Sequence, residues 1–196
     1  MIALDELNAF LDDLVVPLNF EWRLYQELFQ VPDHQSLFME SGVGVWEILG
    51  NALIDSVFMG ASRLFDRAAS CGRENLSFAQ IIQQMPDSEA KTATAEKHRQ
   101  LKENYNAALK QWRNRKLSHN DLETISGVAS IPDISYIEID ALIKDINQLA
   151  RSLGLQIREI DQSYVPFVAN RDWVWKLITV LKRGTEAASK EEGAKK

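Results

Sequence analysis

The sequence contains a single cysteine, Cys71, and only three histidines among 196 residues. One cysteine cannot form an internal disulfide, and no CxxC or CxxH pattern accompanies it, so a disulfide framework and a cysteine-based metal site are excluded. His34 lies in a predicted turn and His98 on a polar helix face, which leaves no credible set of metal ligands. We therefore expect no metal and no cofactor.

Long apolar runs and an excess of positive charge are also absent. No stretch approaches the ~20 consecutive apolar residues of a membrane span, and the first residues, MIALDELNAFLDDL, lack the basic start of a signal peptide. The net charge of −6 excludes nonspecific coating of nucleic acid through a broad basic surface, but it allows a compact basic site. We expect a cytoplasmic, soluble protein without membrane contact.

Convincing strand patterns are missing too, and apolar residues recur three and four positions apart along most of the chain. This spacing predicts an all-α fold, an up-and-down helical bundle with extra helices and a flexible C-terminal tail. Residues 1–183 are predicted to form one domain, and residues 184–196, which lack apolar anchors, to be disordered. Pro17 is expected to kink or divide the first long helix, Gly154 is expected to end a later one, and the structure of residues 155–168 stays open.

The stretch WRNRKLSHND, residues 112–121, places Arg113, Arg115 and Lys116 close together and adds His119. Arginine presents planar paired donors to phosphate, and histidine exchanges protons near neutral pH. Together they suffice for metal-independent cleavage of RNA, with the ribose 2′-hydroxyl as the nucleophile and the arginine stabilising charge on the phosphoryl oxygens. The structural alternative is that these basic residues only stabilise the end of a helix, by interacting with its dipole and by capping its last carbonyl oxygens.

The spacing of Arg113 and His119 constrains the chemical interpretation. Six residues along a regular helix turn the two side chains ~120° apart, so they do not face each other on one helix. Either the helix breaks near Ser118 or a second copy of the chain completes the site. Arg113 also lies at the edge of an apolar stripe, where an unpaired guanidinium is costly, so we expect it to have a fixed partner.

RNRKLSH resembles the Arg-(four to six residues)-His signature of the HEPN superfamily. SRLFDR, residues 62–67, and the ending SHND resemble the abortive-infection U-type branch of that superfamily. The resemblance implies a helical bundle that forms two-fold dimers, with the arginine and histidine of both protomers meeting in a cleft. It also implies a metal-independent RNase of the kind found in toxin–antitoxin, phage-defence and RNA-processing systems.

Carried over by the resemblance, Arg113 is the phosphate-stabilising arginine, His119 the catalytic histidine and Asn114 the polar residue that orients the site. Some related toxins have, two positions after the histidine, a tyrosine that a partner nucleotidyltransferase modifies. Asp121 occupies that position here, which puts such a partner in doubt. Asp121 could instead bind an imidazole nitrogen and raise its basicity.

Five further residues have supporting interpretations. On electrostatic grounds alone, Lys110, Arg115 and Lys116 are candidate contacts to an RNA backbone. Arg63 and Asp66 either pair with each other, three positions apart, or support the region of Arg113.

Three functions therefore stay open. The leading hypothesis is a homodimeric endoribonuclease, a toxin or phage-defence effector that an antitoxin could restrain. The second is a non-catalytic HEPN module that binds nucleotide, RNA or a partner protein. The third is a helical scaffold whose basic helix end is only a cap.

Overall fold

A computed structural model describes residues 2–113, 134–164 and 169–194 of the chain. Within these ranges the chain forms six helices and one short antiparallel hairpin, so the predicted all-α fold is confirmed. The helices are α1 (Leu4–Phe29), α2 (Pro32–Leu64), α3 (Phe78–Gln84), α4 (Glu89–Trp112), α5 (Tyr136–Arg158) and α6 (Ala169–Ala194); the hairpin joins β1 (Ala69–Ser70) to β2 (Arg73–Glu74).

Serine residues begin three of these helices. The hydroxyl oxygens of Ser77 and Ser88 accept hydrogen bonds from backbone N–H groups in the first turns of α3 and α4, at 3.3 and 3.1 Å. Ser135 and Glu138 form a reciprocal capping box at the start of α5. Each cap satisfies donors that the first turn of a helix leaves without a partner, which fixes where the helix starts.

Pro17 does not divide the first long helix, and the interruption in the two N-terminal helices lies at Gly42 of the second. Helix α1 continues through Pro17, whereas α2 has a non-helical residue at Gly42, with φ 121° and ψ 75°. Val15 and Leu18, on either side of the proline, are fully buried, and this packing offsets the hydrogen bond that proline removes. Positive φ favours glycine, so the break falls where the sequence tolerates it best.

The last two helices are both longer than predicted. Helix α5 passes through Gly154 and ends at Arg158, followed by the cap residue Glu159, which has a left-handed backbone with φ 56°. Residues 159–164 have no regular structure, and residues 165–168 lie outside the described residues. Helix α6 continues to Ala194 through the predicted disordered tail, because alanine, glutamate and lysine favour helix even without apolar anchors.

The chain divides into two compact units. The first comprises Met1–Asn19 and Ser56–Tyr164, and its core contains the fully buried side chains Leu11, Val15, Phe58, Leu64, Phe78, Ile81, Ile146 and Leu149. The second comprises Phe20–Asp55 and Val165–Lys196, with a small core of Leu28, Leu37, Phe38, Val174 and Ile178. That residues 1–183 act as a single domain stays a prediction.

One helix in the described part of the chain, α2, is long and apolar enough to cross a membrane by length and composition alone. Core helices of soluble proteins meet the same criteria, so this is weak evidence for membrane insertion.

Candidate functional site

Arg113 follows directly on the last residue of α4 and still has a helical backbone, with φ −56° and ψ −49°. The backbone N–H of Arg113 donates to the carbonyl oxygens of Leu109 and Lys110. Two neighbours hold this turn in place: Leu109 is buried, and Trp112 stacks on Phe58 of α2 with ring centroids 4.2 Å apart. Arg113 therefore projects from a turn that is packed against α2.

The guanidinium of Arg113 is held from the end of α2. Its Nη1 donates to Asp66 Oδ1 at 3.0 Å and to the buried Ser62 Oγ at 3.4 Å. Asp66 itself lies in a turn that its N–H closes onto the carbonyl oxygen of Arg63. The Arg113 and Asp66 side chains are 34% and 38% exposed, so the pair lies at the mouth of a cavity and is accessible to a ligand. Arg113 thus has a fixed partner, as predicted for an arginine at the edge of an apolar stripe.

The cavity beside this pair has a volume of about 490 Å³. Four basic side chains and one acidic side chain line it, although the whole chain carries a net charge of −6. The cavity lining is thus net positive on an acidic protein, which favours an anionic ligand. The lining residues are Ser62, Phe65, Asp66, Arg67, Ser70, Asn75, Lys102, Asn106, Leu109, Lys110 and Arg113.

The loop that carries the β1–β2 hairpin forms one rim of the cavity and is braced by Asn75. The Nδ2 of Asn75 donates to the Arg67 carbonyl oxygen at 2.8 Å and to Ser70 Oγ at 3.0 Å. Its backbone N–H donates to the carbonyl oxygen of Ala68, also at 2.8 Å. One side chain therefore ties both ends of the loop together beside Arg67.

The structure brings together three of the residues singled out from the sequence: Arg113, Lys110 and Asp66 all line the cavity. Arg63 is exposed and does not line it, and among the described residues Asp66 pairs with Arg113 and not with Arg63. The other candidates, Asn114, Arg115, Lys116, His119 and Asp121, lie outside the described residues. The catalytic and binding roles of all these residues stay predictions.

Sequence reasoning missed Lys102 and Asn106 on α4 and Arg67, Ser70 and Asn75 on the opposite rim. Counting back from Arg113 in steps of three or four could have found the first two, since residues at that spacing share a helix face. The other three depend on a loop that packs beside α4 through tertiary structure, which no local pattern reveals.

His98, one helical turn before Lys102, is packed behind the cavity wall. Its ring stacks on Phe65 with centroids 6.0 Å apart and meets Phe78 edge-on, and its Nε2 is buried without a hydrogen-bond partner among the described residues. Burial, with a smaller contribution from the charge of Lys102, lowers the pKa of His98 to about 4. The imidazole is therefore neutral at pH 7 and serves as part of the apolar wall.

A larger cavity, of about 720 Å³, lies in the second unit and contains none of the predicted site residues. Its charges are balanced: Arg23 and Lys182 face Glu27 and Asp172, and Arg23 already pairs with Glu27 at 2.7 Å. The smaller cavity is thus better suited to a polyanion, despite its size.

Over the described ranges, no three His, Cys, Asp or Glu side chains come together in a group that could hold a metal ion. Comparison with curated proteins and with solved structures gives no match. A family model described as HEPN_AbiU2 matches residues 3–176, which is most of the chain. The chain therefore belongs to the AbiU2 family of HEPN proteins.

Proposed function

We propose that this protein is a metal-independent endoribonuclease in which Arg113 and His119 act on the scissile phosphate. The observation that carries the proposal is the net positive cavity on an acidic chain, with Arg113 held at its mouth by Asp66. Membership of the HEPN_AbiU2 family is consistent with an RNase or nucleotide-related function.

The geometry of Arg113 fits phosphate binding. Asp66 and Ser62 engage only Nη1, and no described residue accepts a hydrogen bond from Nε or Nη2. Those two groups form one edge of the guanidinium, and such an edge binds two phosphoryl oxygens at once. Asp66 thus fixes the orientation of the side chain while the opposite edge stays available to substrate.

In the proposed reaction the ribose 2′-oxygen attacks phosphorus, the bond from phosphorus to the 5′-oxygen breaks, and a 2′,3′-cyclic phosphate forms. One imidazole takes the proton from the 2′-hydroxyl, and the leaving 5′-oxygen receives a proton. Arg113 stabilises the charge that develops on the non-bridging oxygens. We assign the imidazole to His119 and propose that a homodimer supplies the second Arg–His pair, since one helix does not bring Arg113 and His119 together.

The test is cleavage of labelled RNA by the purified protein in EDTA. Arg113→Ala should lower the rate by about 10²–10³-fold, and His119→Ala by about 10²–10⁴-fold. Arg99→Ala is the matched control, because Arg99 lies on the same helix but pairs with Glu96 and Glu103 away from the cavity. Its rate should stay within about twofold of wild type.

The outcomes separate the alternatives. Wild-type protein that cuts no RNA in EDTA contradicts the enzymatic proposal, and RNA binding without cleavage supports a non-catalytic module instead. Cleavage that survives Arg113→Ala places the active site elsewhere. Cleavage that disappears on dilution below the dimer dissociation constant is expected if two protomers form the site.

A cellular role follows from the same proposal. We propose a cytoplasmic effector of phage defence or of a toxin–antitoxin pair, restrained by an antitoxin. Induced expression of the wild-type chain should arrest growth in a bacterial host, whereas the Arg113→Ala chain at equal abundance should not. Equal toxicity of the two chains would contradict a role that depends on this site.

A further inference from the structure

We propose that the α4 wall of the cavity is a track for single-stranded RNA, in which Lys102 binds a phosphate away from the scissile one and Asn106 contacts the intervening nucleotide. This inference rests on the proposed function and names its substrate class. Neither residue belongs to the Arg–His signature, and both were found only through the cavity that they line with Arg113.

The residues of the track form one stripe on α4. Lys102, Asn106, Lys110 and Arg113 follow one another at spacings of four, four and three positions, which places them on the same helix face. All four line the same cavity. With a rise of 1.5 Å per residue, the stripe extends roughly 16 Å, so Lys102 and Arg113 are far enough apart to contact different phosphates of one strand.

The polar groups of this stripe are available to a ligand. Among the described residues, no carboxylate pairs with Lys102 or Lys110, and no hydrogen bond engages the Asn106 side chain. An unpaired ammonium group beside a cavity attracts phosphate, and an amide can both donate to and accept from a base edge or a 2′-hydroxyl. The stripe therefore combines three positive charges with one amide that can discriminate between nucleotides.

The opposite rim of the cavity is formed by the loop that carries the hairpin. Arg67 adds a further positive charge there, and Asn75 braces the loop through its bonds to the Arg67 carbonyl oxygen and Ser70. A volume of about 490 Å³ accommodates a nucleotide but not a duplex. Duplex RNA is recognised across a wide minor groove, which requires a broader surface. A single strand is the substrate class that fits.

The test measures binding of a ten-nucleotide, mixed-sequence single-stranded RNA by fluorescence anisotropy from 50 to 300 mM salt. The His119→Ala background prevents cleavage during the titration. Adding Lys102→Gln should weaken binding about three- to tenfold at 100 mM salt and reduce the slope of log affinity against log salt by about 0.7. Lys97→Gln is the matched control, because Lys97 lies on α4 but faces Gln148 and does not line the cavity.

With His119 intact, Lys102→Gln should raise KM for RNA by a similar factor and leave kcat within about twofold, since Lys102 does not touch the reacting phosphate. If Lys102→Gln and Lys97→Gln give equal slopes of log affinity against log salt, the proposal that Lys102 binds an RNA phosphate is wrong. If the wild-type protein does not cleave RNA but Lys102→Gln still reduces the slope of log affinity against log salt, the proposed RNase function fails and the RNA track is supported. Absence of both cleavage and binding of the decamer overturns both.

Discussion

Acid should destabilise this protein through His98, whose imidazole is packed between Phe65 and Phe78 with its Nε2 buried. Burial lowers the pKa of this side chain to about 4 in the folded state, whereas the ordinary value of about 6.5 applies to the unfolded chain. The unfolded chain therefore binds more protons between these two pKa values. The stability that the neutral His98 contributes is fully present above pH 6.5, and this contribution is lost as the pH falls from 6.5 towards 4.

The magnitude follows from the two pKa values. Each pH unit between them corresponds to about 1.4 kcal/mol, and linkage integrated from pH 7 to pH 5 gives about 2 kcal/mol. Because His98 is only partly buried and solvent screens part of the charge, we expect a loss of about 1–2 kcal/mol. The charge of Lys102 acts in the same direction, since it also disfavours the imidazolium.

Urea unfolding at pH 5, 6, 7 and 8 tests this reasoning with wild-type protein and His98→Leu. Leucine fills the space between the two phenylalanine rings but does not titrate, so subtracting its stability at each pH isolates the histidine. The stability of wild type relative to the variant should be constant above pH 7 and fall by about 1–2 kcal/mol between pH 7 and pH 5. A difference that stays level over that range, or that grows in acid, would refute the burial of a neutral imidazole behind the cavity wall.

Two further predictions concern the carboxylates of the first unit. Asp66→Asn should lower RNA cleavage about 10–100-fold while changing stability by less than about 1 kcal/mol, because the half-exposed carboxylate mainly orients Arg113; rates equal to those of Glu96→Gln, an exposed ion-pair control on α4, would show that Asp66 positions nothing. Asp12 accepts hydrogen bonds from Arg158 at 2.6 Å and from the hydroxyl of Tyr164. Asp12→Asn should therefore lower thermal stability by about 2–3 kcal/mol, or roughly 5–10 °C by circular dichroism; an unchanged melting temperature would argue against a buried pair.

The sequence is most informative where one local signal decides the structure. The recurrence of apolar residues three and four positions apart predicts helices, and the described residues form six of them. Pro17 does not divide α1 and Gly154 does not end α5, because the surrounding packing outweighs the local preference of each residue. The C-terminal residues are predicted to be disordered because they lack apolar anchors. Their helix propensity nevertheless extends α6 to Ala194 without apolar contacts.

The candidate site divides in the same way. Chemistry and spacing are enough to single out Arg113 and to predict that it has a fixed partner. That Asp66 is this partner depends on α2 and α4 packing together, which the sequence alone offered only as one of two alternatives. Asn75 could not be found at all, because it reaches the cavity through a loop held by tertiary contacts.

The most direct test of the central claim is the chemistry of the RNA ends that wild-type protein produces in EDTA. Attack by the 2′-hydroxyl within the Arg113 cavity predicts fragments that end in a 2′,3′-cyclic phosphate, identified by mass spectrometry and absent with Arg113→Ala. An RNA with a single 2′-deoxynucleotide at the mapped position should resist cleavage there. Fragments with 3′-hydroxyl and 5′-phosphate ends, or cyclic-phosphate ends that persist in Arg113→Ala, would contradict the account.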